Sequence, residues 1–241
     1  MSLPDTRPAA VLLDVGGIFH LPAPAIVAEA FARAALEPPG PETFHRAHYA
    51  AAAVFPVAYD GNLHWQDHLE GYLVAYMREC EVPDTAQAEL RAHLHVAFSG
   101  SGLWTQVIDG AAEGLAALEA TGVALGVVSN AGGTVAQELR ESGLLQVGPG
   151  PGVEVVTILD SGAVGVAKPD PRIFAMALLA LRVDPGSTWY VGDTPAIDVA
   201  GARRAGIHPI LVDPYGFHAD ADYTTVRSLT EVAALVEARP A

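Results

Sequence analysis

The sequence predicts an α/β protein: a doubly wound parallel sheet with an all-helical segment inserted after the first strand. Three observations carry that expectation. A short apolar run over 9–14 stops at Gly16 and Gly17, as a buried strand does. From about residue 26 to 96 the pattern turns into alanine-rich amphipathic helices that need no strand. They are broken at Pro38, Pro39 and Pro41, at Pro56, at Asp60 with Gly61, and at Pro83. Beyond residue 109, apolar strands alternate with helical stretches long enough for parallel pairing with right-handed crossovers.

Taken in order, this last part predicts a helix over 109–121, a strand over 123–129, a helix over 134–142 and a strand near 155–159. It continues with a helix over 171–181, a strand over 189–192, a helix over 196–205, a strand over 209–212 and a closing helix near 229–238. The proline-rich stretch 20–24 and the Ser-Gly stretch 99–102 bracket the inserted helices as hinges. The expected division is therefore a core of 1–20 and 103–241 with a helical lid of 21–102. The Gly-Pro run 148–152 is a turn-rich loop without the lysine of a phosphate-binding loop.

Composition excludes several classes. Of 241 residues 51% are hydrophobic and 17% charged, which argues against disorder, and no apolar run approaches the roughly 20 residues that cross a bilayer. The 28 acidic and 13 basic residues give a charge of -15, which repels nucleic-acid backbones and anionic membrane surfaces, so neither is an expected partner. The single cysteine, Cys80, forms no internal disulfide, and no basic stretch followed by an apolar core opens the chain, so the cytoplasm is the expected compartment. Twelve of the basic residues are arginine, and Lys168 is the only lysine.

Four strand ends carry polar residues: Asp14, then Ser129 and Asn130, then Lys168 in the loop after the third strand, then Asp193 with Asp198. In a parallel sheet these converge where ligands bind, beyond the carboxyl ends of the strands. Carboxylates gathered at one point repel unless a cation sits among them, and oxygen-only ligands favour a hard ion such as magnesium. Blander roles exist for each. Asp14 can form a turn, Ser129 and Asn130 can cap the next helix, and Asp193, Thr194 and Asp198 can start one.

The chain resembles the haloacid dehalogenase superfamily, aspartate-nucleophile hydrolases with a Rossmann-like core and a helical cap after the first strand. Four motifs carry the resemblance: Val11-Leu-Leu-Asp-Val-Gly-Gly-Ile-Phe19, Val127-Val-Ser-Asn130, Lys168-Pro-Asp-Pro-Arg-Ile-Phe174, and Val191-Gly-Asp-Thr-Pro-Ala-Ile-Asp198 running on into Gly201-Ala-Arg203 and Ala205-Gly206. It implies that Asp14 attacks phosphorus, that Ser129 and Asn130 hold the transferring group, and that Lys168 steadies nucleophile and phosphate. It also implies that Asp14, the backbone carbonyl at Gly16, Asp193 and, through water, Asp198 hold magnesium. The substrate would be a small phosphorylated metabolite.

One departure matters. Phosphatases of the superfamily usually carry a second aspartate two residues after the nucleophile as acid and base, and here that residue is Gly16. Such help is typically worth about 10²- to 10⁴-fold. The favoured expectation is a phosphatase for leaving groups that need little protonation, such as anomeric sugar phosphates or acyl phosphates. A dehalogenase and a phosphometabolite-binding protein without turnover are the alternatives, although dehalogenation leaves Asp193 and Asp198 unexplained. Phosphonatase chemistry needs a cap lysine, and the lid has none.

His20, six residues after Asp14, is the nearby group able to replace the missing acid-base residue. In the lid, His64 and His68 stand four apart, a zinc-like spacing without a metalloprotease glutamate, and read better as a solvated face. His45, His48 and Tyr49 lie at helical spacing and can face substrate, with packing the plainer role. Cationic contacts from the lid fall to arginines such as Arg33 or Arg46, or to histidine. Nothing in the sequence sets the oligomeric state.

Overall fold

The computed structural model describes residues 3–55, 65–100 and 102–240, with main chain alone at 65–68. The expected breaks at Pro56 and at Asp60 with Gly61 lie outside the described residues, as do His64 and the side chain of His68.

The first strand, β1 (Ala10–Leu13), is wholly buried and lies at the centre of the main sheet. It pairs in parallel with β4 (Ala124–Ser129) on one side and β8 (Thr188–Gly192) on the other. Beyond β4 lies β7 (Thr157–Asp160), and beyond β8 lie β9 (His208–Val212) and β10 (Thr224–Val226), all parallel. Both faces are covered, so β1 reads as an unbroken apolar run rather than an alternating one. Val11 and Leu13 pack on one face with Leu115 and Leu118 of α5 (Ala111–Thr121) and Val232 and Val236 of α10 (Leu229–Glu237). Leu12 faces the other way, towards Ile173, Phe174 and Ala177 of α8 (Pro171–Leu181) and Ala202 of α9 (Ala200–Arg204).

Between β2 (His20–Pro22) and β3 (Trp104–Val107) lie α1 (Pro24–Arg33), α2 (Pro41–Ala53), α3 (Trp65–Glu79) and α4 (Asp84–Ser99). Pro24 and Pro41 open their helices, where no backbone donor is missed. Phe44, Ala47, His48 and Ala51 form the buried stripe of α2, and Leu90, Leu94 and Phe98 that of α4. These helices share a second apolar core with Phe31, Leu73 and Tyr76, and Ala196 and Ile197 reach into it from beneath.

Several elements differ from the sequence expectation. The two hinges pair with each other as an antiparallel ribbon, His20 opposite Val107 and Leu21 opposite Gln106. The expected strand over 155–159 divides into β6 (Val153–Val155), which pairs with β5 (Leu145–Val147), and β7. The sixth strand, β10, was not expected; its three residues are too short for a period to show. The helix expected over 196–205 starts as a π-helical turn, Pro195–Val199, before α9. No helix among the described residues is long and apolar enough to cross a membrane.

Candidate active site

Chain order reverses around β1: β4 and β7 are laid down to one side before the chain returns to place β8 on the other. The carboxyl ends of β1, β4 and β8 therefore open on the switch point of the sheet, where α/β proteins bind ligands. A cavity of about 820 Å³ lies there, bounded above by α2, α3 and α4. Every site residue expected from the sequence lines it: Asp14, Gly16, Ser129, Asn130, Lys168, Asp193 and Asp198.

Each side chain is held by a short chain of causes. Asp14 follows β1 directly, and its main-chain N–H still donates to the Val191 carbonyl at 2.9 Å, so the carboxyl is fixed to the last rung of the sheet. Asn130, just past β4, clasps the Lys168 main chain. The Lys168 N–H donates to Asn130 Oδ1 at 2.8 Å, and Asn130 Nδ2 donates to the Lys168 carbonyl at 2.9 Å. Lys168 is 1% exposed, an environment that long charged side chains almost never enter unpaired. Its Nζ lies 2.7 Å from Asp14 Oδ2 and donates to Asp198 Oδ1 at 2.8 Å and to the Tyr190 hydroxyl at 2.7 Å, one acceptor for each ammonium proton.

Asp198 joins the two halves of the site. Its Oδ1 takes Lys168, while its Oδ2 accepts the main-chain N–H groups of Asp193 at 3.0 Å and Thr194 at 2.9 Å. This closes the turn that aims Asp193 at Asp14. Thr194, expected to cap the next helix, makes no side-chain cap; its hydroxyl donates to Asp193 Oδ1 at 3.1 Å. The other Asp193 oxygen lies 2.8 Å from Nε2 of His48, whose Nδ1 lies 2.8 Å from the Tyr72 hydroxyl. The lid thus reaches the core carboxylates directly.

The electrostatics follow from the crowding. Burial pushes Asp14 up from an ordinary 3.8 to about 7; Lys168 works against this, while Asp198 and Asp193 add to it. For Lys168, burial disfavours the charge, but Asp14 and Asp198 outweigh it and raise its pKa. Carboxylate oxygens of Asp14, Asp193 and Asp198 all lie within 4.8 Å of one another. Three carboxylates and one ammonium leave two negative charges in a buried, oxygen-rich site, and that donor set fits one hard divalent cation.

The two glycines after Asp14 have different reasons to be glycine. A Cβ on Gly16 would begin 3.4 Å from the Trp104 ring, so the indole covers the direction in which a side chain would grow. Gly17 has φ +67°, and a Cβ there would lie 2.4 Å from Asp193 Cγ. Gly17→Ala is therefore expected to cost at least about 2 kcal/mol, from left-handed strain and displacement of Asp193 together. Thermal unfolding checks this; an unchanged melting temperature would contradict the packing described.

His20 lines the cavity, an isolated bridge pairs it with Gly16, and its buried Nδ1 has no hydrogen-bond partner among the described residues. Burial lowers its pKa. Tyr49 serves packing, its hydroxyl donating to the Gly17 carbonyl at 2.7 Å, and the His45 ring lies tilted against Tyr49 and edge-on to Tyr215. Arg33 and Arg46 do not supply the expected cations. Arg33 pairs with Glu29 on the surface; Arg46 pairs with Glu79 and lies over the Tyr215 and Phe217 rings. The sequence reading named His48 as able to face substrate but favoured packing for it, and it did not place Tyr72 and Tyr190 in the site. For His48 a signal existed, a polar residue in the apolar stripe of α2.

The chain matches the haloacid dehalogenase-like hydrolase family over residues 9–206. It is 49% identical to a phosphoserine phosphatase of Thermus thermophilus over 67 residues, which cover 28% of this chain and 27% of that protein. It is 35% identical to haloacid dehalogenase-like hydrolase domain-containing protein 3 of Bos taurus over 127 residues, 53% of this chain and 47% of that protein. The chain thus spans half or less of the length of these curated relatives. In fold it is similar to a haloacid dehalogenase-superfamily hydrolase from Ehrlichia chaffeensis, with a TM-score of 0.58 and 16% identity over 96% of this chain and 97% of that one. Strand order, the carboxylate cluster around Lys168 and a family match over most of the sequence agree, and the chain belongs to the haloacid dehalogenase-like hydrolase family.

Proposed function

We propose that the protein is a cytoplasmic, magnesium-dependent phosphatase that transfers the phosphoryl group of a small metabolite to Asp14 and then hydrolyses the aspartyl phosphate. Residues 1–20 and 103–241 form its catalytic core and 21–102 its cap. The observation that carries the reading is the buried contact of Lys168 with both Asp14 and Asp198, beside Asp193, at the switch point of the sheet. A lysine so placed holds Asp14 Oδ2 and leaves the other carboxylate oxygen as the attacking atom.

Asp14 attacks phosphorus, the new P–O bond forms, and the bond to the leaving oxygen breaks with its electron pair on that oxygen. Water then attacks the same phosphorus, the bond to Asp14 breaks, and carboxylate and inorganic phosphate are restored. The Ser129 hydroxyl and Lys168 bind the phosphoryl oxygens, and Asn130 acts by clasping the Lys168 main chain. Asp14, Asp193 and the Gly16 carbonyl are the groups to hold magnesium directly, with Asp198, whose oxygens already accept four hydrogen bonds, acting through water. Bound there, magnesium supplies positive charge against the transferring phosphoryl group.

With Gly16 in place of an acid, good leaving groups should react best. Acetyl phosphate and anomeric sugar phosphates are expected to be hydrolysed with magnesium and to persist in its absence. Simple alkyl phosphates should be slower by about 10²-fold or more. His20, beside Gly16, is the group placed to supply residual proton transfer, so His20→Ala should slow alkyl esters more than acetyl phosphate. Equal loss on both would remove it from that role. Absence of turnover, with no phosphate on Asp14, would favour a binding protein instead.

A further inference from the structure

The cavity that receives the phosphoryl group is chemically lopsided. Phe55, Tyr72, Phe98 and Trp104 contribute to its wall on the cap side, with Ile197 beneath. Its acidic lining residues are Asp14, Asp193, Asp198 and Glu138, against the single ammonium of Lys168, which is already committed to two of them. None of the twelve arginines is among the described residues that line it. Of the two histidines among those residues, His48 is committed to Asp193, and burial lowers the pKa of His20. After one phosphate and one divalent ion are accommodated, nothing described in this wall neutralises a second anionic group. A carboxylate or second phosphate on the substrate would lose its hydration there without gaining a charged partner.

We propose, on the phosphatase reading above, that the substrate is a phosphorylated compound whose organic part is aromatic and carries no charge beyond the phosphoryl group, an aryl or aroyl phosphate. Two independent features meet in this class. The aromatic wall buries a ring and offers it offset or edge contacts. The glycine at position 16, closed over by the Trp104 indole, leaves the departing oxygen without a carboxylic acid. A phenol, with a pKa of about 10, departs without protonation far more readily than an alkanol. In the step itself the Asp14 oxygen bonds to phosphorus and the bond from phosphorus to the aryl or aroyl oxygen breaks. The phenoxide or carboxylate leaves with the electron pair, and a phenoxide takes its proton from water.

Two matched pairs of compounds test the class on the full-length protein with magnesium. Phenyl phosphate and 4-carboxyphenyl phosphate differ by one negative charge at similar leaving-group quality; the charged compound should show a kcat/KM at least about tenfold lower. Benzoyl phosphate and acetyl phosphate differ by the ring; the benzoyl compound should show a KM about tenfold lower. Glu138→Lys, at a half-buried wall residue outside the catalytic cluster, should narrow the first difference, read as the ratio of the two phenyl compounds on the same variant, by placing a cation in the lining. Equal rates on both phenyl compounds, or no advantage for benzoyl over acetyl, with acetyl phosphate still hydrolysed, would overturn the substrate class and leave the phosphatase standing. No turnover of any compound and no phosphate on Asp14 would overturn both.

Discussion

Asp14→Asn is expected to lower kcat for acetyl phosphate on the order of 10⁴-fold or more, the scale of losing a covalent nucleophile, while making the protein more stable. The second effect is the sharper test, because an inactive variant is usually a damaged one. Burial first, and then Asp198 and Asp193, hold the Asp14 carboxyl at about 7 against an ordinary 3.8, despite Lys168. The folded protein therefore binds this proton more tightly than the unfolded chain. On that account magnesium-free stability declines as pH rises from about 4 to about 7 and stays low above that window. Asparagine removes the penalty. Its melting temperature should exceed that of wild type at pH 8, and the two should converge near pH 4. A variant less stable than wild type at pH 8 would mean that the ion pair with Lys168 outweighs burial.

Lys168→Met should have the opposite sign. Methionine keeps the stem volume but leaves Asp14 and Asp198 buried with no ammonium between them and takes a donor from Tyr190. Breaking a buried pair from one side costs about 3–5 kcal/mol. For a chain of this size that corresponds to a fall in melting temperature of roughly 6–20 °C. Turnover should vanish with it. The combination with Asp14→Asn is expected to recover part of the stability and none of the activity, since one of the two stranded charges is gone. Strict additivity of the two changes in thermal unfolding would show that the contact carries no coupling.

Much of this arrangement was legible in the sequence because strand ends are chemically marked. Asp14, Ser129, Asp193 and their neighbours each follow an apolar run, and a parallel sheet brings such positions together whatever the loops do. Lys168 was marked differently, as the only lysine in the chain. The elements that escaped are those whose information is not local. β10 is three residues long, and β2 and β3 are made by a partner more than eighty positions away rather than by their own pattern. For His48, named as able to face substrate, packing was the plainer reading for a related reason. Its neighbours on α2 show that the position is buried, but not that Asp193, just past β8, completes its environment. The arginines of the lid misled because their charge was visible and their partners, Glu29 and Glu79, were not.

The central position of β1 has a consequence during synthesis. Val11 ends up between Leu125 and Trp189, so this strand gains its first neighbour more than a hundred residues later and its second after some sixty more. At 5–20 residues per second the second neighbour takes roughly 9–36 s to be made. Until β4 is made the segment Ala10–Leu13, apolar on both faces, is a strand with both edges open, and one edge stays open until β8 follows. The helices of α1 to α4 are made in the meantime and can gather around their own apolar core. A nascent chain stalled before residue 188 thus carries a sheet with its middle exposed, the species on which a chaperone or an aggregate would act.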